Sequence, residues 1–161
     1  MSVKVLFVCL GNICRSPGAE AVFREKIKRH HLDGNVEVDS AGTSGFHEGE
    51  AADSRMILHA KRRGYDIISI AREIVPGDLD AFDIIVAMDA NNYQHLMGMT
   101  KNPTQKNKVV MMTDYSEIYE GDVPDPYYGG SLGFDKVLDI LEESSEGLID
   151  EIKDLYSTKF K

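Results

Sequence analysis

The 161-residue sequence holds only two cysteines, Cys9 and Cys14, so close together that no disulfide framework supports the fold. That shortage fits a reducing cytoplasm. Positive charge is short as well: 18 Lys and Arg stand against 27 Asp and Glu, a formal net charge of −9. This balance argues against broad nucleic-acid binding and against an anionic membrane surface as partner. No stretch approaches the ~20 apolar residues that a membrane-spanning helix needs. The apolar run after Lys4 could pass for a signal peptide, but it is short and breaks at Gly11-Asn12 without a small-residue cleavage pattern. No internal repeat or low-complexity segment is present. What is there suits one globular domain over residues 1–161 with a real core, since 42% of residues are apolar and 28% charged.

The chemistry starts near the first residue. Val3 to Val8 is a short, β-branched apolar run that reads as a buried strand. Ser16 and Pro17 are suited to the cap and first position of a helix. Between them lie Cys9, Leu10, Gly11, Asn12, Ile13, Cys14 and Arg15. A strand–loop–helix unit of this kind gathers unpaired backbone N–H groups and the positive end of a helix dipole into one small volume. Gly11 and Asn12 tolerate left-handed dihedrals, which turn successive N–H groups inward as a nest. Arg15 brings a planar fork suited to two phosphoryl oxygens. The field that holds a phosphate also favours a thiolate at Cys9. Ser16 can donate a hydroxyl hydrogen bond to that sulfur. A lone cysteine is more often a buried apolar residue; the Gly-Asn turn, Arg15 and the Ser-Pro start set Cys9 apart.

A second candidate group lies far along the chain, in Asp125-Pro126-Tyr127-Tyr128. A leaving group departs from phosphorus more easily if it is protonated as its bond breaks. Asp125 can supply that proton, held by Pro on both sides, while the two tyrosines dry the site.

The stretch Val8 to Pro17, with the Asp-Pro-Tyr near the C-terminal end, resembles the low-molecular-weight protein-tyrosine phosphatases over essentially the whole chain. The resemblance implies an α/β fold, a four-stranded parallel sheet in the order 2-1-3-4 with helices on both faces and the phosphate-binding loop after the first strand. It implies hydrolysis of phosphotyrosine in proteins, and of small aryl phosphates, through a phosphocysteine on Cys9. Arg15 would clamp the phosphoryl group and Asp125 would act as acid, then as base. Phosphate and vanadate would inhibit. Phe46 would form an aromatic wall beside the loop, Asp89 would be a structural carboxylate, and Tyr127 and Tyr128 are candidate phosphorylation sites. No metal or other cofactor is expected, because the loop supplies the positive charge. The protein is expected to be a monomer with at most weak self-association.

Helical spacing runs from Ala19 to about His31, with His30 and His31 read as solvated. Val36 to Asp39 reads as a second strand, followed by a loop over Ser40 to Gly45. Ala52 to Arg63 is helical with Gly64 as its stop, and Pro76 to Phe82 is a turn with a short helical piece. Asp83 to Asp89 is the third strand, and Asp89 or Asn91 can cap the helix expected over Ala90 to Met99. Thr100 to Asn107 reads as a polar linker, Lys108 to Met112 as the fourth strand and Asp114 to Gly130 as a loop. From Ser131 an amphipathic helix runs to the end with a break expected near Gly147. Gly18 departs from the family pattern, which favours a larger apolar residue, at a helix cost of roughly 0.5–1 kcal/mol relative to Ala.

Three rival functions share parts of this pattern. Arsenate reductases of related fold use further cysteines downstream, and none follows Cys14. Protein-arginine phosphatases carry a small polar residue where Ile13 stands, and the bulk of Ile13 favours a flat phenyl ring. A non-catalytic phosphate-binding module has no need of a nucleophile or an acid. Cys14 is either a small apolar loop residue or the partner of Cys9 in a protective disulfide.

Overall fold

The computed structural model describes residues 2–156, so the last residues of the expected 1–161 domain lie outside the described part. Its centre is β1, Val3–Cys9, in which every side chain but Lys4 is buried. A strand covered on both faces reads as a continuous apolar run rather than an alternating one. β1 pairs in parallel with β2, Val36–Gly42, on one side and with β3, Ile84–Ala87, on the other; β4, Val109–Met111, completes the order β2-β1-β3-β4.

The pleat splits the core into two. Val3, Val5, Phe7 and Cys9 face one cluster, with Phe23 from α1 (Arg15–Arg29), Met56 from α2 (Ser54–Arg62), and Phe134, Leu138 and Leu141 from α6 (Ser131–Leu155). Leu6 and Val8 face the other, with Leu79 from α3 (Asp78–Ala81) and Leu96 from α4 (Ala90–Met99). Helices therefore cover both faces. Chain from β1 leads to β2 on one flank and β3 returns on the other, which opens a crevice at the carboxyl ends of β1 and β3, where open α/β sheets place ligands. Among the described residues no helix is long and apolar enough to cross a membrane.

Several elements differ from expectation. β2 continues through Ser40 to Gly42 because β1 pairs with it along its whole length, with Cys9 opposite Gly42. The first helix begins at Arg15 and ends at Arg29, so Ser16 lies inside it and does not cap it. The linker after Thr100 contains α5, Pro103–Lys106, capped by the Asn102 side chain. β4 stops at Met111, and a 3₁₀ turn over Met112–Tyr115 takes the next residues. α6 runs through Gly147 without a break. Gly147 is there for clearance, since a Cβ would land on the Tyr115 carbonyl. Gly18 has a similar reason: Met56 fills the room that a larger residue would take. His30 is not free in solvent; its Nε2 meets Glu146 at 3.1 Å and its Nδ1 meets the Lys153 ammonium at 2.9 Å.

Candidate active site

The loop from Cys9 to Arg15 leaves β1 in the crevice and runs straight into α1. Of its two expected left-handed residues only Asn12 is one, with φ 56°. Gly11 is not left-handed; a Cβ there would stand 3.1 Å from the His47 ring, so its small size serves a close approach. The turn at Asn12 sends its backbone N–H to the Cys9 sulfur at 3.3 Å. Unlike α2, α4 and α5, α1 has no side-chain cap at its start, which leaves its first N–H groups to a ligand.

Behind the loop the Asn12 side chain is fully engaged. Its amide nitrogen donates to Ser16 Oγ at 2.7 Å and to Ser40 Oγ at 3.0 Å, and its Oδ1 accepts from the Arg72 backbone N–H at 3.0 Å. Ser40 in turn donates to buried Glu20 at 2.6 Å. Because Ser16 Oγ accepts from Asn12, its own hydrogen is free for Cys9 Sγ, 3.0 Å away; the Ala41 carbonyl, at 3.4 Å, is the poorer acceptor.

Arg15 is only 3% exposed and is fixed by one edge. Its Nη1 donates to Asp89 Oδ2 at 2.7 Å and to the Val123 carbonyl at 3.0 Å, while Nη2 makes a looser 3.6 Å ion pair with Asp125 Oδ2. Burial works against this charge, but Cys9, the bond to Asp89 and the nearby Asp125 outweigh it and hold the guanidinium above its ordinary pKa. Asp89 does both jobs considered for it, since its other oxygen caps α4 through the Asn92 N–H at 2.7 Å. Asp125 Oδ1 accepts from the Tyr127 N–H at 3.1 Å, which folds the loop back on itself.

These groups surround a cavity of about 350 Å³. Cys9, Leu10, Gly11, Ile13, Cys14 and Arg15 line its floor, and Phe46, Asp125, Tyr127 and Tyr128 its sides; Asn12, Ser16 and Asp89 support it from behind. Phe46 and Tyr128 are 83% and 91% exposed, so this wall is open to solvent. The sequence reading missed Ser44 and His47 in the lining, and Ser40 and Glu20 behind it. His47 joins the rings into a chain, 4.9 Å from Phe46 and 6.2 Å from Tyr127 between centroids. Burial, then the neighbouring Asp53 and Cys9, push the Cys14 thiol well up.

A family model described as low molecular weight phosphotyrosine protein phosphatase matches residues 4–157. The chain belongs to that family. Among curated relatives, the low-molecular-weight protein-tyrosine-phosphatase of Streptomyces coelicolor is 41% identical over 157 residues, covering 96% of both chains. A crystal structure of a protein tyrosine phosphatase from Entamoeba histolytica, with Hepes in its active site, has a TM-score of 0.92 and 49% identity, over 95% of this chain and 98% of that one. The low-molecular-weight phosphatase fold is shared more distantly by YwlE of Bacillus subtilis, described as an arginine phosphatase. A variant of it with a phosphorylated active-site serine has a TM-score of 0.84 and 26% identity, covering 94% of this chain and 96% of its own.

Proposed function

We propose that this phosphatase hydrolyses phosphotyrosine in proteins, and small aryl phosphates, in two steps through a phosphocysteine on Cys9. The observation that carries the reading is the convergence on one aromatic-sided cavity of a hydrogen-bonded sulfur, a guanidinium fixed by one edge and a carboxyl group from the opposite loop. In the first step the Cys9 thiolate attacks phosphorus and the bond to the phenolic oxygen breaks. Arg15 Nη2 and the loop N–H groups hold the equatorial oxygens, and Asp125 gives its proton to the departing tyrosine. In the second, Asp125 takes a proton from water, which attacks phosphorus and releases phosphate and the thiolate. Asn12, Ser16 and Asp89 hold the loop and Arg15 in place for both steps. The phosphorylated active-site serine that replaces a cysteine in the arginine-phosphatase variant supports transfer of the phosphoryl group onto an active-site side chain in this fold.

Arginine phosphatase is the second reading, and Ile13 on the cavity floor with Phe46, Tyr127 and Tyr128 beside it favours a flat aryl group over a guanidino group. Phosphotyrosyl and phosphoarginyl peptides of one sequence are expected to differ in kcat/KM on the order of 10²-fold in favour of phosphotyrosine. Phosphate and vanadate are expected to inhibit competitively. Preference for phosphoarginine, or no release from either peptide, would remove the assignment.

Two free thiols in one cavity, one of them the nucleophile, suit a reducing compartment. If peroxide converts Cys9 to a sulfenic acid, the Cys14 thiol can displace water from it and form a disulfide. Peroxide inactivation is accordingly expected to be reversed by dithiothreitol in the native protein and to become irreversible in Cys14→Ser; equal reversal in both would leave Cys14 an apolar loop residue.

A further inference from the structure

The acid loop is tied down on both sides of Asp125, by different means. Upstream, the Val123 N–H donates to the Met88 carbonyl at 2.8 Å and the Val123 carbonyl accepts from Arg15 at 3.0 Å. Downstream, the Tyr127 carbonyl accepts from Arg55 Nη2 at 3.0 Å, and the Arg55 guanidinium lies 5.5 Å from the Tyr127 ring centroid and 4.9 Å from that of Phe134. Arg55 is itself aimed. Its Nε and Nη2 bind the two oxygens of Asp53 at 3.1 and 2.9 Å, and the Asp53 N–H donates to the Ile13 carbonyl at 2.8 Å. A continuous line of bonds thus runs from the phosphate-binding loop at Ile13, through Asp53 and Arg55, to the backbone two residues past Asp125.

We propose that Arg55 is a positioning residue that latches the downstream half of the acid loop to the phosphate-binding loop and so sets the distance from the Asp125 carboxyl to the leaving oxygen. The inference rests on the two-step reading above. Arg55 need not touch the substrate, because it acts through Tyr127, whose N–H in turn holds Asp125 Oδ1 at 3.1 Å. A planar fork is needed at this place, since one guanidinium must bind a carboxylate side-on, reach a carbonyl and lie against two rings. An ammonium can do one or two of these.

The test is a leaving-group series on the full chain. Arg55→Met keeps an apolar stem against Phe134 and removes the donors. Misplacing a general acid is expected to lower kcat/KM for phenyl phosphate about 10-fold but for dinitrophenyl phosphate less than about 2-fold. Arg55→Lys is expected to fall between native and Arg55→Met. In an Asp125→Ala background Arg55→Met should cause no further loss, because there is no longer an acid to place. The rate of Cys9 alkylation by iodoacetate should stay within about 2-fold of native, as the thiolate's own donors are untouched. A uniform loss across leaving groups, no loss, or a full further loss in the Asp125→Ala background would overturn the latch. If Asp125→Ala by itself shows no leaving-group dependence, it is the acid reading that fails, and the two failures are told apart.

Discussion

Replacing Cys9 by Ser is expected to reduce turnover of any aryl phosphate by at least about 10⁴-fold, while inorganic phosphate still binds with an affinity close to native. What surrounds the sulfur decides the outcome. The Asn12 N–H at 3.3 Å and the Ser16 hydroxyl at 3.0 Å are the two neutral donors at the nucleophile's position. They are not enough to ionise an alcohol, whose intrinsic acidity is far weaker. The serine would therefore meet phosphorus as a neutral hydroxyl with no base at hand, because Asp125 stands on the leaving-group side. In the proposed mechanism phosphate affinity belongs instead to Arg15 and the amides at the start of α1, none of which the substitution moves. Calorimetric titration of both proteins with phosphate, beside a phosphate-release assay, checks both halves. Near-native turnover in the variant would disprove the covalent route.

That site was legible because its parts are contiguous: a buried strand, a tight turn and a helix start within fifteen residues leave little freedom in where Cys9 and Arg15 face. Asp125 lies 110 positions from Arg15, and an Asp-Pro step by itself reads as a turn; only its pairing with the Cys9–Arg15 loop and the family resemblance single it out. What stayed hidden depends on pairings that no local pattern carries. Ser40 looks like loop until β1 is laid beside it, and only then does its hydroxyl fall between Asn12 and Glu20. Glu20 did carry a signal, a carboxylate within the buried run from Arg15 to Phe23, and such a group needs partners inside; it finds Ser40 at 2.6 Å and Arg24 at 2.6 Å. Asn102-Pro103 is likewise a helix-start signature, the cap and first residue of α5 inside a stretch that otherwise reads as linker. Helix propensity disfavours Gly147, and the close approach of the Tyr115 carbonyl overrides propensity there. Arg55 gave no sign at all, since an exposed arginine at a helix start is ordinary until its carbonyl acceptor arrives from residue 127.

Asp125→Ala is expected to produce the second-largest loss, and a selective one. For phenyl phosphate or phosphotyrosine, whose phenol has a pKa near ~10, kcat/KM is expected to fall on the order of 10²–10³-fold. For dinitrophenyl phosphate, whose phenolate leaves without help, the fall should be a few-fold at most. The ratio kcat/KM is the proper measure, because it covers the steps up to departure of the phenol and excludes hydrolysis of the phosphocysteine. The second step is read separately from the burst of phenol release. With the base gone, water attack slows, so the burst should grow relative to the steady rate even for the best leaving group. The geometry supports both roles for one group. Asp125 is about a third exposed, within reach of water, and it lines the cavity with one oxygen held by the Tyr127 N–H and the other only loosely paired with Arg15 Nη2 at 3.6 Å. A kcat/KM loss equal across the whole series would reduce Asp125 to a partner of Arg15, and an unchanged burst would remove its part in hydrolysis of the intermediate.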